Sequence, residues 1–348
     1  MGLISLDTLV LRRRVVAWLP LGLLALTLLD GCATPRLQPL GLPDQPPSLE
    51  DGYAVMDDGY RLPLALWRPA GEPLAMVLAL HGFNDYHQAF ARAGPFLARR
   101  GILTYAYDQR GFGATRERGL WPGTQRMGAD LRLLIDLVRQ HNPGVPLYLL
   151  GESMGGALVL VESQESPPLG VAGILLVAPA VWGGASMPPL QRLLLWITAH
   201  TLPGLKVTGE GLDILASDNL AMLRAQGRDP QVIKRTRVDA LWGLSHLMDQ
   251  ASAAPPPAVP TLVLYGEGDE IIPKRAYCRW LGSFPRPAPM EPRLVLYGQG
   301  HHMLTRDLQG ARVLADIAAW IRDPAGALPS GEETEPGSKR LAKFCGPR

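Results

Sequence analysis

The stretch with the clearest chemical potential is Gly-Glu-Ser-Met-Gly at 151–155, which places a glycine two positions on either side of Ser153. The apolar run LYLL precedes it, and the small-residue run GGALVLVE follows. A strand that turns sharply into a helix holds a hydroxyl up at a strained junction, and glycines avoid clashes where the two elements approach. The pattern predicts a serine nucleophile, with a tight junction that contains a serine by coincidence as the alternative.

A serine hydroxyl needs a neighbouring base to become a nucleophile, and the chain has only seven histidines to supply it. His301 and His302 follow the last apolar, β-rich run of the chain. Asp269 follows the run before it and can orient an imidazole. The order Ser153, Asp269, histidine is one of the known orders of a serine triad. The sequence therefore predicts a triad whose base is one of two adjacent histidines.

Short apolar runs that read as buried parallel strands must position these groups. The six runs are 76–80, 103–107, 147–150, 174–178, 261–265 and 293–297. A hairpin around the DDG turn at 57–59 precedes them, and amphipathic helical stretches alternate with them. This alternation predicts an α/β fold with a mostly parallel sheet and helices on both faces, with all three triad positions at one sheet edge.

The alternation stops between Val181 and Gln250, where helical runs replace the strands. An insertion of this length after a strand predicts a helical cap over a site, at about 181–250, with a purely structural helical layer as the alternative. Its residues Leu193, Leu194 and Trp196 are too apolar for a solvated lid. We expect them to pack on the core or to line an apolar cleft.

The N-terminus is typical of an export signal. Three arginines, Arg12 to Arg14, precede a short apolar stretch, and the sequence Leu-Asp-Gly-Cys ends at Cys32. This ending resembles a bacterial lipobox, although Asp30 departs from the usual residue. The interpretation is a lipoprotein signal peptide at 1–31 and a lipid anchor on Cys32, favouring the outer membrane facing the periplasm. A plain signal anchor or a wrongly assigned start codon is the alternative.

Two further segments are predicted to lie outside the folded domain at 51–322. Residues 32–50 are proline-rich and aperiodic, which predicts a tether, and residues 323–348 are predicted to be a disordered tail. Cys278 and Cys345 remain in the exported chain and could either pair or stay free.

Composition excludes several classes of partner. The net charge is +2, and no Lys/Arg stripe with interleaved aromatic residues indicates a nucleic-acid footprint. The run DQRGFGAT at 108–115 lacks the third glycine and trailing acid of a dinucleotide site. Neither cysteine has metal-site spacing, so we expect no cofactor and no metal.

From about Gly52 to Ile321 the chain resembles the α/β-hydrolase superfamily, and within it the monoacylglycerol lipase and lysophospholipase-like group of lidded serine hydrolases. The resemblance is carried by HGFND (81–85), YAYDQRGFGAT (105–115), GESMGG (151–156), DNLAMLRAQGRDP (218–230), GEGDEIIP (266–273) and GHHMLTRD (300–307). It favours His302 over His301, because two apolar residues and then an acid follow the family's histidine. At position 152 this chain has a glutamate, whereas the family more often has a histidine.

An oxyanion hole needs two backbone donors. The elbow geometry supplies the N–H of Met154, and the resemblance implies the N–H of Phe83 as the second. The resemblance also implies a serine hydrolase that cleaves lipid-like esters, such as monoacylglycerols or lysophospholipids, through an acyl-enzyme. A peptide or amide hydrolase of the same fold and a catalytically silent surface lipoprotein are the alternatives.

Overall fold

Strands and α-helices alternate along the chain, as the sequence predicts. The computed structural model describes residues 34–166, 168–211, 213–284, 290–335 and 337–346. Its strands are β1 (Ser48–Glu50), β2 (Tyr53–Val55), β3 (Arg61–Trp67), β4 (Ala75–Leu80), β5 (Ile102–Tyr107), β6 (Leu147–Glu152), β7 (Gly173–Val177), β8 (Lys206–Val207), β9 (Thr236–Arg237), β10 (Thr261–Gly266), β11 (Arg293–Tyr297) and β12 (Glu333–Thr334). Its α-helices are α1 (Ala93–Ala98), α2 (Thr124–His141), α3 (Met154–Glu162), α4 (Pro189–Thr201), α5 (Leu220–Arg228), α6 (Val238–Ala253), α7 (Lys274–Gly282), α8 (Gly310–Arg322) and α9 (Lys339–Cys345).

One ten-stranded sheet forms the centre of the fold, in the order β1-β2-β3-β5-β4-β6-β7-β10-β11-β12. The six strands from β5 to β11 in this order run parallel. The hairpin β2–β3 and the edge strand β12 pair antiparallel with their neighbours. The predicted mostly parallel sheet is therefore confirmed, and each of the six predicted strands is present.

Two apolar layers sandwich the sheet, because the central strands are buried on both faces. Along β4, Met76, Leu78 and Leu80 join the layer that contains α2, α3 and α7, while Ala75, Val77 and Ala79 join the layer that contains α1 and α8. The apolar stripe of α2 is buried at Leu131, Leu134, Ile135 and Val138, as an amphipathic helix requires. These layers fix the sheet, so its carboxyl edge is a rigid platform for the loops that follow.

The cap is smaller than the predicted 181–250. Helices α4 and α5 lie in it, joined by a two-stranded ladder of β8 and β9 that the sequence did not predict. Helix α6 packs against α4 of the cap but also against α3, and its Leu247, Met248 and Ala251 are part of the main core. An apolar stripe shows that a helix packs but not on which surface, so α6 was wrongly grouped with the cap.

The predicted tether is partly built into the domain. Ser48–Glu50 adds an antiparallel strand to β2. Further upstream, Leu37 forms a bridge to Trp121, and Gln38 N donates to Trp121 O over 2.9 Å. The prediction of a free tether at 32–50 is wrong for these described residues, because their backbone groups pair with the sheet edge and with the loop at Trp121.

The prediction of a disordered tail at 323–348 is also wrong for its described residues. Strand β12 pairs with β11, and α9 is tied to α7 by a disulfide between Cys278 and Cys345, whose Cα atoms are 5.6 Å apart. Phe344 of α9 is buried against the core. A disulfide that closes a long loop restricts the unfolded chain, so this tail contributes to stability.

The predicted signal peptide and the lipid-anchored Cys32 lie outside the described residues. Among the helices that the structure does describe, none combines the length and the apolar character that a membrane span requires.

Candidate active site

Ser153 lies at the turn between β6 and α3. Its backbone has φ 54° and ψ −114°, a conformation that costs free energy in any residue but glycine. Hydrogen bonds hold the turn in place: Ser153 N donates to Val177 O, and Ala157 N and Ala180 N both donate to Ser153 O, each over 3.0 Å. The structure therefore has the strained strand-to-helix turn that the sequence predicts.

The glycines around Ser153 allow β6, α3 and β4 to approach closely. A Cβ built on Gly155 would lie 2.2 Å from Leu80 O, and one on Gly151 would lie 2.5 Å from Gly156 Cα. Neither distance is possible for real atoms, so only glycine fits. The predicted reason for these glycines, a close approach of strand and helix, is confirmed.

His302 and Asp269 come together at the same edge of the sheet. His302 Nδ1 lies 2.8 Å from Asp269 Oδ2, and both residues are buried. The other carboxylate oxygen, Oδ1, accepts backbone N–H groups from Ile271 (2.8 Å) and Ile272 (2.9 Å). These three bonds fix the carboxylate, which in turn holds the imidazole with its proton on Nδ1 and leaves Nε2 free to accept.

His301, the other candidate base, has a different partner. Its backbone N donates to Asp307 Oδ2 over 2.7 Å, and its ring Nδ1 lies 3.7 Å from the same oxygen. Asp307 Oδ1 also accepts from Ser217 Oγ, 2.5 Å away, which ties the histidine loop to the cap. Of the two neighbours, His302 is the one that bonds to Asp269.

One group of described residues, Asp218, His301 and Asp307, has ligand atoms close enough to hold a metal ion, all within 4.8 Å of one another. Asp307 already accepts from two donors of its own loop and of the cap, and burial raises its pKa. These contacts give the cluster a structural role in joining the loop to the cap.

The loop after β4 lies directly against Ser153. A Cβ built on Gly82 would lie 3.3 Å from Ser153 Cβ and 3.8 Å from Ser153 Oγ. Phe83 follows Gly82 and packs edge-on against Phe112 at a ring separation of 5.6 Å. Met154 is the first residue of α3, where a backbone N–H has no partner within the helix. Phe83 and Met154 thus neighbour residues of the turn from two different elements, and their role as an oxyanion hole stays a prediction.

His81 holds the start of this loop. Its Nδ1 lies 2.8 Å from Gly82 O, and its Nε2 accepts from Gln109 N over 3.0 Å. Burial lowers the pKa of His81, which keeps the ring neutral and able to donate at one nitrogen and accept at the other. The two bonds of His81 fix the backbone next to Gly82.

A buried ion network surrounds Glu152. Arg306 donates to Glu152 Oε1 and, over 2.7 Å, to Asp85 Oδ2. Burial lowers the pKa of the Arg306 guanidinium, but the two carboxylates outweigh it, and the pKa lies above its ordinary value. Glu152 thus has a charged partner from the histidine loop. All three residues lie within the motifs that carry the resemblance, but the sequence alone does not show which positions so far apart in the chain are paired.

The same loop is bonded to the cap. Asp85 Oδ2 accepts from Gln226 Nε2 of α5 over 2.9 Å, and Asn84 Nδ2 donates to Thr236 Oγ1 of β9 over 2.6 Å. Asn84 has φ 65°, a left-handed conformation that asparagine tolerates better than most residues. A movement of the cap would therefore strain or displace the loop beside Ser153.

The cap carries an exposed apolar face. Leu193, Leu194 and Trp196 of α4 are 52%, 53% and 49% exposed, and Ala199 is the one residue of this helix that is buried. Of the two expected positions, packing on the core is wrong, and a place along an apolar cleft stays a prediction. An apolar face of this kind is suited to an apolar ligand or surface.

The chain is similar to known proteins along most of its length. The family model described as serine aminopeptidase, S33, matches residues 71–309, which is more than half of the chain. The monoglyceride lipase of Rattus norvegicus is 26% identical over 297 residues, covering 83% of this chain and 94% of the rat protein. The monoacylglycerol lipase of Mycolicibacterium smegmatis is 27% identical over 278 residues, covering 76% and 93%.

A solved structure shares the fold. The soluble variant of monoglyceride lipase from Saccharomyces cerevisiae, in complex with a substrate analogue, superposes with a TM-score of 0.66 at 20% identity. The match covers 81% of this chain and 97% of the yeast chain. The chain therefore has the α/β-hydrolase fold that the sequence resemblance implies.

Proposed function

Because this chain belongs to the serine aminopeptidase S33 family, we propose that it is a serine hydrolase that cleaves carboxylic esters of lipid-like substrates. The observation that carries the proposal is the bond from His302 Nδ1 to a carboxylate that two backbone N–H groups hold in place. That arrangement prepares an imidazole to accept a proton at Nε2. The strained turn at Ser153 supplies the hydroxyl.

The proposed reaction has two halves. His302 Nε2 takes the proton of Ser153 Oγ as the oxygen attacks the ester carbonyl, and the N–H groups of Phe83 and Met154 bind the oxyanion. The imidazolium, stabilised by Asp269, then gives its proton to the departing alcohol. Water, deprotonated by His302, hydrolyses the acyl-enzyme and restores the serine.

The substrate proposal, a monoacylglycerol or a lysophospholipid, has two supports. One is the exposed apolar face of α4 with Leu193, Leu194 and Trp196, which offers an acyl chain an apolar surface to pack on. The other is the likeness to proteins named monoglyceride or monoacylglycerol lipase. Both indicate a single acyl chain on a polar head group.

We further propose that the protein is a lipoprotein held on a membrane by acyl chains on Cys32, in the outer membrane facing the periplasm. The support is the sequence of the N-terminal segment alone, with its arginines, its short apolar stretch and the Leu-Asp-Gly-Cys ending. This location would bring the site to lipid substrates. Mass analysis of the mature N-terminus tests it: an acylated Cys32 is expected, and an unmodified N-terminus would contradict it.

A substrate panel tests the reaction. We expect turnover to rise with acyl-chain length across monoacylglycerols and lysophospholipids, and to be lost in a Ser153→Ala variant. Equal rates on short soluble esters and long-chain monoacylglycerols would contradict the lipid assignment. The family description favours one rival, an aminopeptidase, and faster turnover of aminoacyl amides than of acyl esters would establish it.

A further inference from the structure

A cationic groove lies where the N-terminal segment meets the domain, and its wall includes Lys206 of β8 and Arg237 of β9. This tether groove has a volume of about 800 Å³, and its cations are Arg36, Arg118, Lys206, Lys234, Arg235 and Arg237. Among the described residues that line it, none is acidic. This concentration of charge cannot be recognised from the sequence, because the six cations come from four separate segments.

Most of these cations have no neutralising carboxylate among the residues that the structure describes. Arg237 is paired with the buried carboxylate of Asp239, 2.6 Å away. For the other five, no carboxylate of the described residues lies within the 4.0 Å of an ion pair. Arg36, Lys206 and Arg235 are exposed. Like charges gathered in one concave surface raise the local potential, and a bound anion relieves their repulsion.

The position of the groove indicates the source of that anion. Thr34 and Arg36 form part of its wall, and Thr34 follows Cys32 by two residues. Since a residue spans at most about 3.6 Å, an anchor on Cys32 would bring the membrane surface to within about 7 Å of Thr34. Leu37, Leu40 and Leu42 of the same segment are 59%, 56% and 78% exposed. Exposed apolar residues beside uncompensated cations match a lipid interface, not a site for a small soluble anion.

We infer that the tether groove binds the phosphate groups of anionic phospholipids at the membrane surface. The inference builds on the membrane location proposed above and is independent of the ester chemistry. It also gives the bound domain an orientation. Ile233, in the groove wall, donates its N–H to Asn84 O of the loop next to Ser153 over 2.9 Å. Docking through the groove would therefore bring the cap side of the domain to the lipid surface.

The test compares vesicles of phosphatidylcholine with vesicles of phosphatidylcholine and phosphatidylglycerol. The full chain carrying Cys32→Ser is used, so that no acyl anchor contributes and the apolar N-terminal segment is the same in every sample. The groove variant is Lys206→Gln, Lys234→Gln and Arg235→Gln. The matched control, with equal charge loss at exposed residues outside the groove, is Arg139→Gln, Arg275→Gln and Lys343→Gln.

We expect the parent and the matched control to prefer anionic vesicles, and the preference to weaken with added salt. Each Lys or Arg at an anionic surface contributes about fivefold to binding, so the groove variant should lose about a hundredfold. The single variant Arg36→Gln, on the N-terminal segment and outside the core, should lose about fivefold. A groove variant that kept the preference, or a parent that showed none, would overturn the inference.

Two competitors identify the ligand class. Inorganic phosphate and a single-stranded oligonucleotide, each at the phosphate concentration of the vesicles, are expected to displace little protein. Displacement by either would show that the groove serves a soluble anion or a nucleic acid, and the membrane assignment would be wrong. Turnover of a short soluble ester, measured in the same samples, should be equal in the parent, the groove variant and the control. Absent turnover contradicts the proposed enzyme, while absent vesicle preference contradicts the groove.

Discussion

Replacing Asp269 by asparagine tests the orientation of His302 with almost no change of shape. Asp269 uses Oδ1 for two backbone N–H groups and Oδ2 for His302 Nδ1. Asparagine has a single acceptor oxygen, which the two N–H groups require, so its NH₂ must face His302. Nδ1 then has to accept, the ring proton moves to Nε2, and the imidazole can no longer take the proton of Ser153.

The size of the effect follows from the loss of the base. A wrong imidazole tautomer reduces kcat by about 10⁴-fold in serine hydrolases, which is about 5 kcal/mol of transition-state stabilisation. An asparagine with its amide flipped would present its oxygen to His302 and restore the tautomer. The flip would set the NH₂ group against the two backbone N–H donors, at a cost of about 1–3 kcal/mol each. We expect KM to change little, because the carboxylate touches the base and not the substrate.

The assay is steady-state hydrolysis of a short, soluble p-nitrophenyl ester, with thermal unfolding as the check that the fold persists. Glu270→Gln is the matched control, because residue 270 is the next in the chain and is exposed. Glu270 Oε2 accepts from Leu215 N over 2.6 Å, and the amide oxygen of glutamine can accept the same bond. It should keep kcat within about twofold, as surface changes usually do. A folded Asp269→Asn variant with kcat within about tenfold of the parent would refute the assigned role of the carboxylate.

Three further predictions concern stability. Arg306→Gln leaves two buried carboxylates without their cation and should lower the free energy of unfolding by about 3–5 kcal/mol in urea titrations. Arg312→Gln, whose exposed guanidinium pairs with the half-buried Glu332, should cost under about 1 kcal/mol. Equal losses in the two variants would contradict the network. Replacing Cys278 and Cys345 by alanine opens a loop of 67 residues and should cost about 4 kcal/mol, seen as a lower Tm that no longer responds to reductant; an unchanged Tm would show that the tail adds nothing. Burial lowers the pKa of His81, so the unfolded chain binds a proton at a higher pH than the folded chain does. The free energy of unfolding should therefore fall as the pH drops below the ordinary value of 6.5. A His81→Asn variant should lose that part of the pH dependence, and an identical pH profile in the variant would contradict the prediction.

The parts of the fold that sequence predicts well are those with local signals. The six central strands are continuous apolar runs because both of their faces are covered, and Ser153, Asp269 and His302 each directly follow one of them. Once the runs are taken as parallel strands, their carboxyl ends must share an edge. The placement of the three residues at one edge then needs no knowledge of side-chain packing.

The parts that sequence predicts poorly depend on contacts between distant segments. Strand β12 has two residues and helix α9 seven, too few for a periodic pattern, and both are ordered by partners elsewhere in the chain. The pairing of Glu152 with Arg306 spans 154 positions. An apolar helix face likewise does not name its partner, which is why α6 proved to belong to the core and α4 to present its face outward.

The central claim, that Ser153 is the nucleophile, is tested most directly by mapping the adduct of a fluorophosphonate probe by mass spectrometry. We expect a single modified peptide that carries the probe on Ser153, labelled in the parent, slowed in the Asp269→Asn variant and absent in Ser153→Ala. An adduct on another residue, or a folded parent protein that the probe does not label, would contradict the account.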